Sequence, residues 1–230
     1  MGTAHLVLAS TSPRRRELLK LGGWKFDTRP VDVDESQHPG EAPQAYVLRL
    51  AESKARACAA SSNNNGTNSP GEDLLILSAD TTVVDGKNIL GKPVDGREAV
   101  EMLRRLRKRT HQVLTGIAVL RPSDGNLRTD LCVTDVPMRN YSDEEIETYV
   151  ATGDPLDKAG AYAIQHPGFH PVERMAGCYA SVMGLPLCHL ARSLRPLNIA
   201  PVTDISAECQ ASLNYTCPVS AAVLRGEQVG

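Results

Sequence analysis

The amino-acid sequence predicts an α/β fold in which a mixed sheet is flanked by helices. Segments with helical and strand periodicity alternate along the chain, an order typical of sheets covered by helices. Two long β-rich segments, residues 113–120 and 131–138, are separated by a Pro-Ser-Asp-Gly turn, which predicts antiparallel pairing. The 230-residue chain is long enough for one domain with two lobes. We place this domain at residues 1–196 and expect a tail of uncertain structure at 197–230.

The first elements follow from short apolar runs and the residues that end them. The apolar residues 6–9 precede Ser-Thr-Ser-Pro, and leucines at helical spacing then occupy residues 14–21. This pattern predicts a strand, a tight loop and a helix. We interpret residues 26–33 as extended and expect a second helix over about residues 42–58. The polar, low-complexity residues 61–70 predict a loop.

The middle of the chain carries a hairpin signal. Residues 74–77 are apolar, as in a buried strand, and lead through Ser-Ala to Asp80. Residues 81–84 continue the β pattern as far as an Asp-Gly dipeptide, which is typical of a hairpin turn. A helix is expected over about residues 97–106, before the two long strands.

The predicted elements become shorter after the long strands. Ser142 and Glu145 match a capping box, which predicts the start of a helix. Short strands are expected near residues 162–165 and 179–183, and a last helix begins at Pro186. The tail shows no clear periodicity, so we assign it no element.

Composition and charge limit the classes of function. A net charge of -2 and a pI near 6.3 give no overall attraction to a nucleic acid polymer or an anionic membrane. The first ten residues lack the apolar run of a signal peptide, and no later stretch is long enough for a membrane span. We therefore expect a soluble, cytoplasmic protein. The six cysteines have no CxxC or metal-type spacing, so we expect free thiols and assign them no role.

The start of the first helix has the features of an anion site. Ser12 is a favourable N-cap and Pro13 suits the first helical position, so unpaired N–H groups face the preceding loop. Arg14 and Arg15 lie in this first turn, where they oppose the helix dipole. A phosphate would satisfy the backbone donors, the hydroxyls of Ser10 and Ser12, and the guanidinium groups. The alternative is a solvated basic turn.

Two lysines are candidate partners for the same anion. Lys54 shares a helical face with Val47, Leu50 and Ala51, so it lies among core-facing positions. Its ammonium group must reach a pocket or a carboxylate, or else snorkel at the rim of the apolar stripe, and spacing alone leaves both open. Lys92 lies in a Gly-Lys-Pro loop and is a weak signal by itself.

Two carboxylates complete the candidate site. Asp80 follows a strand of buried character, and ligands bind at strand ends in open α/β sheets, which favours a metal ligand or general base over a turn cap. Glu35 belongs to an acidic cluster at residues 31–35 that could supply a second carboxylate for Mg²⁺. A solvated acidic turn explains that cluster equally well.

Several motifs resemble a known family. The chain contains Ser-Thr-Ser-Pro-Arg-Arg at 10–15, Leu-Ala-Glu-Ser-Lys-Ala at 50–55, Ala-Asp-Thr at 79–81 and Gly-Lys-Pro at 91–93, with further motifs at 154–165 and 182–187. In type, order and spacing they resemble the Maf (septum formation inhibitor) family of nucleotide pyrophosphatases. The resemblance covers roughly residues 6–194.

The resemblance implies a long, twisted mixed sheet with two lobes around a central cleft, as in inosine triphosphate pyrophosphatases, and a homodimer. It also implies hydrolysis of nucleoside triphosphates to the monophosphate and pyrophosphate, with a divalent cation (Mg²⁺ or Mn²⁺) and a house-cleaning role. By position, Asp80 matches the proton acceptor, and Glu35 matches a carboxylate associated with the metal that Asp80 also helps to hold. The phosphate-binding positions are Ser10, Arg14, Arg15, Lys54 and Lys92.

Three positions tune the substrate in this family, and they correspond here to Arg14, Thr81 and Gln165. Together they are similar to the branch that hydrolyses dTTP and UTP, including modified pyrimidine nucleotides. A glutamine amide offers both a donor and an acceptor for the imide edge of uracil or thymine. The alternatives are a pyrophosphatase for 7-methyl-GTP or another modified purine nucleotide, or a nucleotide-sensing regulator of cell division with little catalysis. A pure sensor would not need Asp80.

Overall fold

The computed structural model describes residues 4–63 and 73–230. Their strands form one six-stranded sheet in the order β2-β1-β3-β5-β6, with β4 paired to β3. β1 runs parallel to β2 and β3, whereas the remaining pairs are antiparallel. The predicted mixed sheet is therefore confirmed. The strands are β1 (Ala4–Leu8), β2 (Phe26–Thr28), β3 (Asp73–Asp85), β4 (Asn88–Leu90), β5 (Thr110–Arg121) and β6 (Asn126–Pro137).

Helices cover the sheet, and capping residues mark the start of several of them. Ser12 caps the first helix, Asp95 caps the third, and the fourth begins with the predicted capping box of Ser142 and Glu145. Within the described residues, no helix has the length and apolar character required to cross a membrane. The helices are α1 (Pro13–Lys20), α2 (Pro43–Asn63), α3 (Gly96–Leu106), α4 (Asp143–Ala151), α5 (Tyr179–Val182), α6 (Leu187–Leu194), α7 (Ile205–Leu213) and α8 (Ser220–Arg225).

The long strands link two lobes, each with its own apolar core. One core joins β1 and the first half of β3 to α1, α6 and α7, with Leu19, Leu77 and Leu190 at its centre. The other joins the second half of β3 to α3 and α4, and includes Leu103 and Tyr141. A cleft lies between the lobes, as the family resemblance implies.

Helix α2 packs directly on the middle of β5 because Gly116 has no side chain. A Cβ at Gly116 would lie only 2.8 Å from the backbone oxygen of Val47. Gly116 is also the β5 partner of Asp80 in β3. This close approach therefore fixes the helix that carries Lys54 next to the strand that carries Asp80.

Four local predictions need correction. Asp80 lies within β3 rather than at a strand end, since β3 continues to Asp85. Residues 29–33, predicted to be extended, follow the end of β2 at Thr28 and form no strand. Residues 162–165 pair with no strand: Tyr162 is extended, but the Ala163 N–H donates to the Tyr149 hydroxyl instead. Residues 179–183, predicted as a strand, are mostly the short helix α5. The prediction was wrong because so short a segment fits helical and strand periodicity equally well.

The tail and the polar loop also differ from expectation. Residues 205–213 and 220–225 form α7 and α8, and Ile205 and Cys209 enter the core of the first lobe. The tail is thus folded against the family-like region rather than lacking structure. Residues 61–63 continue α2, and the rest of the predicted loop at 61–70 lies outside the described residues.

Candidate active site

The cleft between the lobes has a volume of about 680 Å³ and brings the predicted residues together. Residues from both lobes line the cleft, because β3 passes from one lobe to the other and α1 begins at the edge of the cleft. The predicted site residues that line it are Ser10, Ser12, Arg14, Arg15, Glu35, Lys54, Asp80, Thr81, Lys92 and Gln165.

The loop before α1 is folded as its sequence predicts. The Ser12 hydroxyl accepts a hydrogen bond from the Arg15 N–H at 3.4 Å, which caps the helix. The Ser10 hydroxyl accepts from the Ser12 N–H at 3.2 Å. The positive end of the helix dipole therefore faces the cleft beside Arg14. This arrangement is suited to an anion.

Arg15 is fixed by contacts from three segments. Its Nε donates to the Gly184 carbonyl oxygen at 2.9 Å, and one terminal nitrogen donates to the Thr81 hydroxyl at 3.2 Å. The other terminal nitrogen lies 3.4 Å from the Ser10 hydroxyl. Burial lowers the pKa of Arg15 and outweighs the opposing attraction of Asp80. These contacts use three of the five N–H donors, which leaves donors for a phosphate.

Gly184 allows this arrangement through its backbone conformation. Its φ of 109° is one that residues with side chains rarely adopt. A Cβ at this position would lie 3.2 Å from Arg15 Nε and 3.3 Å from the Thr81 hydroxyl. Glycine thus lets its own carbonyl reach the guanidinium group without crowding it.

A chain of hydroxyl groups continues behind Arg15. The Thr115 hydroxyl donates to the Ser181 carbonyl oxygen at 2.8 Å, and it lies 2.9 Å from the Thr81 hydroxyl. Since the single proton of Thr115 is used toward Ser181, the Thr81 hydroxyl must donate to Thr115 and accept from Arg15. Thr115 is fully buried. The orientation of the guanidinium group therefore depends on β3, β5 and α5 together.

Lys54 joins the two predicted carboxylates. Its ammonium nitrogen lies 2.6 Å from Asp80 Oδ1 and 2.7 Å from Glu35 Oε1. The side chains of Lys54 and Asp80 are 12% and 10% exposed, whereas that of Glu35 is 55% exposed. Burial raises the pKa of Glu35, but the hydrogen bond and charge of Lys54, together with the charges of Lys92 and Arg15, lower it by more. Lys54 therefore reaches into the cleft and does not snorkel to solvent.

The carboxylate pair fits a hard cation that is bound together with phosphate oxygens. Glu35 and Asp80 approach the same ammonium group, so they are close enough to share one cation. Mg²⁺ usually takes one or two carboxylates, and substrate oxygens and water complete its shell. Within residues 4–63 and 73–230, no group of three or more His, Cys, Asp or Glu side chains is arranged to hold a metal. A metal held by Glu35 and Asp80 would take its remaining ligands from substrate oxygens and water.

A comparison with protein families agrees with this geometry. The family described as Maf-like protein matches residues 5–197, a span that includes every cleft residue named above. The chain belongs to the Maf family. The resemblance found in the sequence motifs is therefore confirmed.

Curated Maf relatives cover most of the chain. It is 46% identical over 195 residues to the dTTP/UTP pyrophosphatase of Geobacter sulfurreducens, covering 85% of this chain and 97% of that one. It is 48% identical over 193 residues to the dTTP/UTP pyrophosphatase of Anaeromyxobacter dehalogenans, covering 83% and 93%. A HAM1 protein from Coxiella burnetii is a more distant structural match, with 16% identity, a TM-score of 0.43, and coverage of 72% of this chain and 88% of that one.

Sequence reasoning gave no role to two groups of this Maf protein: Lys158, which lines the cleft, and Thr115, which is buried behind Arg15. Lys158 is 8% exposed and donates to the Asp154 backbone oxygen at 2.6 Å and to the carboxylates of Asp154 and Asp157 at 2.9 and 2.6 Å. Its three donors are thereby used, so it holds this turn in place at the cleft edge. The Asp-Pro-Leu-Asp-Lys motif at residues 154–158 could have indicated Lys158 from the sequence. Thr115 had no such signal, because threonine is common in strands.

The remaining predicted residues line the cleft at different depths. Arg14 is half-buried beside the start of α1. Lys92 is exposed in the loop after β4. Gln165 is exposed in the irregular segment after Tyr162, on the side of the second lobe. The cleft thus has a basic wall at α1 and a side-chain amide at another part of its lining.

Proposed function

We propose that this Maf protein hydrolyses nucleoside triphosphates, in particular dTTP, UTP and modified pyrimidine nucleotides, to the monophosphate and pyrophosphate. The observation that carries the proposal is the Lys54–Asp80 pair in a cleft that also presents Arg14, Arg15 and Lys92. A site for phosphate alone needs basic groups and backbone donors, whereas a carboxylate among them suits hydrolysis. The names of the curated relatives support the same activity.

The basic residues bind and orient the triphosphate. The N–H groups at the start of α1 and the guanidinium of Arg15 form one wall for phosphate oxygens. Arg14 and Lys92 add charge where negative charge grows on the departing pyrophosphate. Fixed donors are effective here because they need no rearrangement as the reaction proceeds.

Asp80 orients and deprotonates the water that attacks the α-phosphorus. Lys54 holds this carboxylate at 2.6 Å, so its position is set before substrate binds. Glu35 and Asp80 would hold a divalent cation, which would neutralise phosphate charge when bound. The other site residues position the substrate and stabilise its charge, as in phosphoryl transfer generally.

Gln165 provides the preference for pyrimidines in this proposal. Its amide can donate to one imide-edge group of uracil or thymine and accept from another. Thr81, which also corresponds to a specificity position, acts here through Arg15, because its hydroxyl accepts from that guanidinium group. Arg14, the third such position, lies in the first turn of α1 and lines the cleft, where it would contact phosphate as well as substrate sugar or base.

The first prediction concerns Asp80→Asn, which tests the catalytic role. The substitution keeps the shape of the side chain and removes the base, so kcat falls by roughly a hundredfold or more. Pyrophosphate release with Mg²⁺ measures the change, and circular dichroism checks the fold. Asp124→Asn, at an exposed turn, is the matched control and keeps full activity. Near-normal turnover in Asp80→Asn would refute the role of Asp80.

A panel of substrates tests the pyrimidine preference in the unmodified protein. dTTP, UTP, modified pyrimidine nucleotides and 7-methyl-GTP are compared by kcat/KM, with monophosphate and pyrophosphate both measured. We expect the pyrimidine nucleotides to be preferred. A preference for 7-methyl-GTP would replace the proposed specificity, and binding without product formation would support a sensing role instead.

A further inference from the structure

Cysteines that are distant in the sequence gather beside the C-terminal helices. Cys178, Cys188, Cys209 and Cys217 line one enclosed cavity next to α6 and α7, and Cys132 in β6 interacts with Cys178. This cavity has a volume of only about 10 Å³, about the space of one water, so it offers no room for an organic ligand. The chemistry available at this place is therefore that of the thiols themselves.

Two of these thiols differ in exposure and line the same cavity. Cys217 is half-exposed, whereas Cys178 is buried and 6% exposed. Cys217 and Cys178 line the same small cavity, and Tyr215, two residues before Cys217, donates to the backbone oxygen of the residue before Cys178. An accessible thiol beside a second, protected thiol is the arrangement found at redox-sensitive cysteine pairs.

The backbone segments that carry the two thiols are tied together. The hydroxyl of Tyr215 lies 2.9 Å from the Gly177 carbonyl oxygen and 3.1 Å from that of Met175. The Cys217 N–H donates to the Gln210 side-chain oxygen at 2.9 Å, which anchors the loop to α7. Gly177 precedes Cys178 and Tyr215 lies two residues before Cys217, so these contacts hold together the two segments that carry the thiols.

The surroundings of Cys217 favour its thiolate. Hydrogen bonds from the Cys178 thiol and from the N–H groups of Val219 and Ser220 lower the pKa of Cys217 and outweigh the effect of burial. A thiolate is the nucleophilic form of cysteine. Cys178 and Cys209 have raised pKa values, the former through its thiol contacts and burial and the latter through burial.

We propose that Cys217 and Cys178 form a peroxide-sensitive pair that is converted to a disulfide. The Cys217 thiolate attacks one oxygen of hydrogen peroxide, the O–O bond breaks, and hydroxide leaves, which gives a sulfenic acid. The Cys178 sulfur then attacks the Cys217 sulfur and displaces the hydroxyl group as water. Two thiols lose two electrons and two protons in total, and peroxide is reduced to two waters.

A metal site is the competing use for such a cluster. In the part of the chain that the structure describes, no three or more His, Cys, Asp or Glu side chains are arranged around a common point as metal ligands. The position of Cys178 and Cys217 on one small cavity, with Tyr215 bonded to Gly177 between the two segments, instead suits a covalent bond between the two thiols. We therefore favour the disulfide, and metal content becomes an outcome of the test.

The test treats reduced full-length protein with hydrogen peroxide. We expect the intact mass to fall by two hydrogen atoms, peptide mapping to identify the Cys178–Cys217 crosslink, and dithiothreitol to reverse it. We also expect Cys217 to react at least about tenfold faster than buried Cys209. Cys209→Ser is the matched control, since Cys209 lines the same cavity, and it should still form the crosslink.

Two variants separate the steps. Cys178→Ser should leave a sulfenic acid on Cys217 that dimedone captures, and Cys217→Ser should lose the disulfide. A crosslink between other cysteines, a stable sulfinic acid in the unmodified protein, or a stoichiometric metal in the purified protein would each overturn the proposal. None of these readouts uses nucleotide hydrolysis, so they are independent of the proposed function.

Discussion

At the scale of single residues, Arg15 shows how a buried network sets the position of a group that we propose binds phosphate. Its guanidinium contacts the backbone of Gly184 and the hydroxyl of Thr81, which in turn donates to Thr115. The position of Arg15 is thus specified by residues from three elements. Thr115 is fully buried and contacts Thr81, so its role is structural support for Arg15 and not substrate contact.

A second prediction follows for Thr115→Val. The substitution keeps the shape but removes the hydroxyl, so Thr81 loses its acceptor and the Ser181 carbonyl loses its donor. A looser Arg15 binds the triphosphate less well, and we expect KM to rise by roughly tenfold, equivalent to about 1.4 kcal/mol. Steady-state kinetics with dTTP measures this. Thr115→Ser retains the hydroxyl and should restore KM, whereas an unchanged KM in Thr115→Val would contradict the network.

The residue types at the site were largely visible in the sequence. Arg14 and Arg15 were conspicuous because arginines oppose the dipole at a helix start. Lys54 was ambiguous, since a lysine at the edge of an apolar stripe either snorkels or enters a pocket, and only the position of Asp80 resolves the choice. Thr115 was invisible, because a hydroxyl that acts through a second hydroxyl leaves no pattern in one sequence.

At the scale of elements, β3 supplies the proposed catalytic carboxylate from its middle rather than its end. The strand is 13 residues long and belongs to both lobes, so Asp80 lies where the sheet passes from one core to the other. Sequence reasoning placed Asp80 at a strand end because the apolar run stops there. The run stops because the strand reaches the cleft, and the strand itself continues through pairing with β5.

A third prediction concerns the packing of α2 on β5 at Gly116. In Gly116→Ala the new Cβ would lie 2.8 Å from the Val47 backbone oxygen, so the helix must move. We expect the free energy of unfolding to fall by roughly 1–3 kcal/mol. Activity should fall too, because α2 carries Lys54. Urea denaturation and pyrophosphate release measure the two effects.

A matched glycine provides the control for that experiment. In Gly168→Ala the nearest atom to the new Cβ is in the His166 ring at 3.5 Å, an ordinary contact. Its unfolding free energy should stay within about 0.5 kcal/mol of the unmodified protein. Equal stability of the two variants would show that α2 tolerates displacement and that Gly116 does not fix its position.

At the scale of the whole molecule, sequence patterns predicted the mixed sheet and the long elements but not the shortest ones. Residues 162–165 and 179–183 are too few to separate a strand from a helix by periodicity. The tail at 197–230 carries little apolar periodicity, and α7 and α8 are stabilised by packing on the first lobe. The thiol cluster is a further example, because only folding brings Cys178 next to Cys217.

A final prediction links a buried histidine to the pH dependence of stability. His111 is 2% exposed, its Nε2 lies 2.8 Å from the Tyr162 hydroxyl, and burial lowers its pKa to about 4. In the unfolded chain the pKa of histidine is about 6.5, so the unfolded state binds more protons between these values. Stability is therefore present above about pH 6.5 and is lost as the pH falls toward 4.

From pH 7 to pH 5, His111 should lower the free energy of unfolding by about 2 kcal/mol. Urea denaturation at both pH values measures the loss. His111→Gln keeps a polar partner for Tyr162 but does not titrate. Its free energy of unfolding should therefore fall by about 2 kcal/mol less than that of the unmodified protein between pH 7 and pH 5. His38→Gln, at an exposed position, should retain the full loss. Because carboxylates are common to all three proteins, equal losses in all of them would mean that burial of His111 does not govern the acid sensitivity.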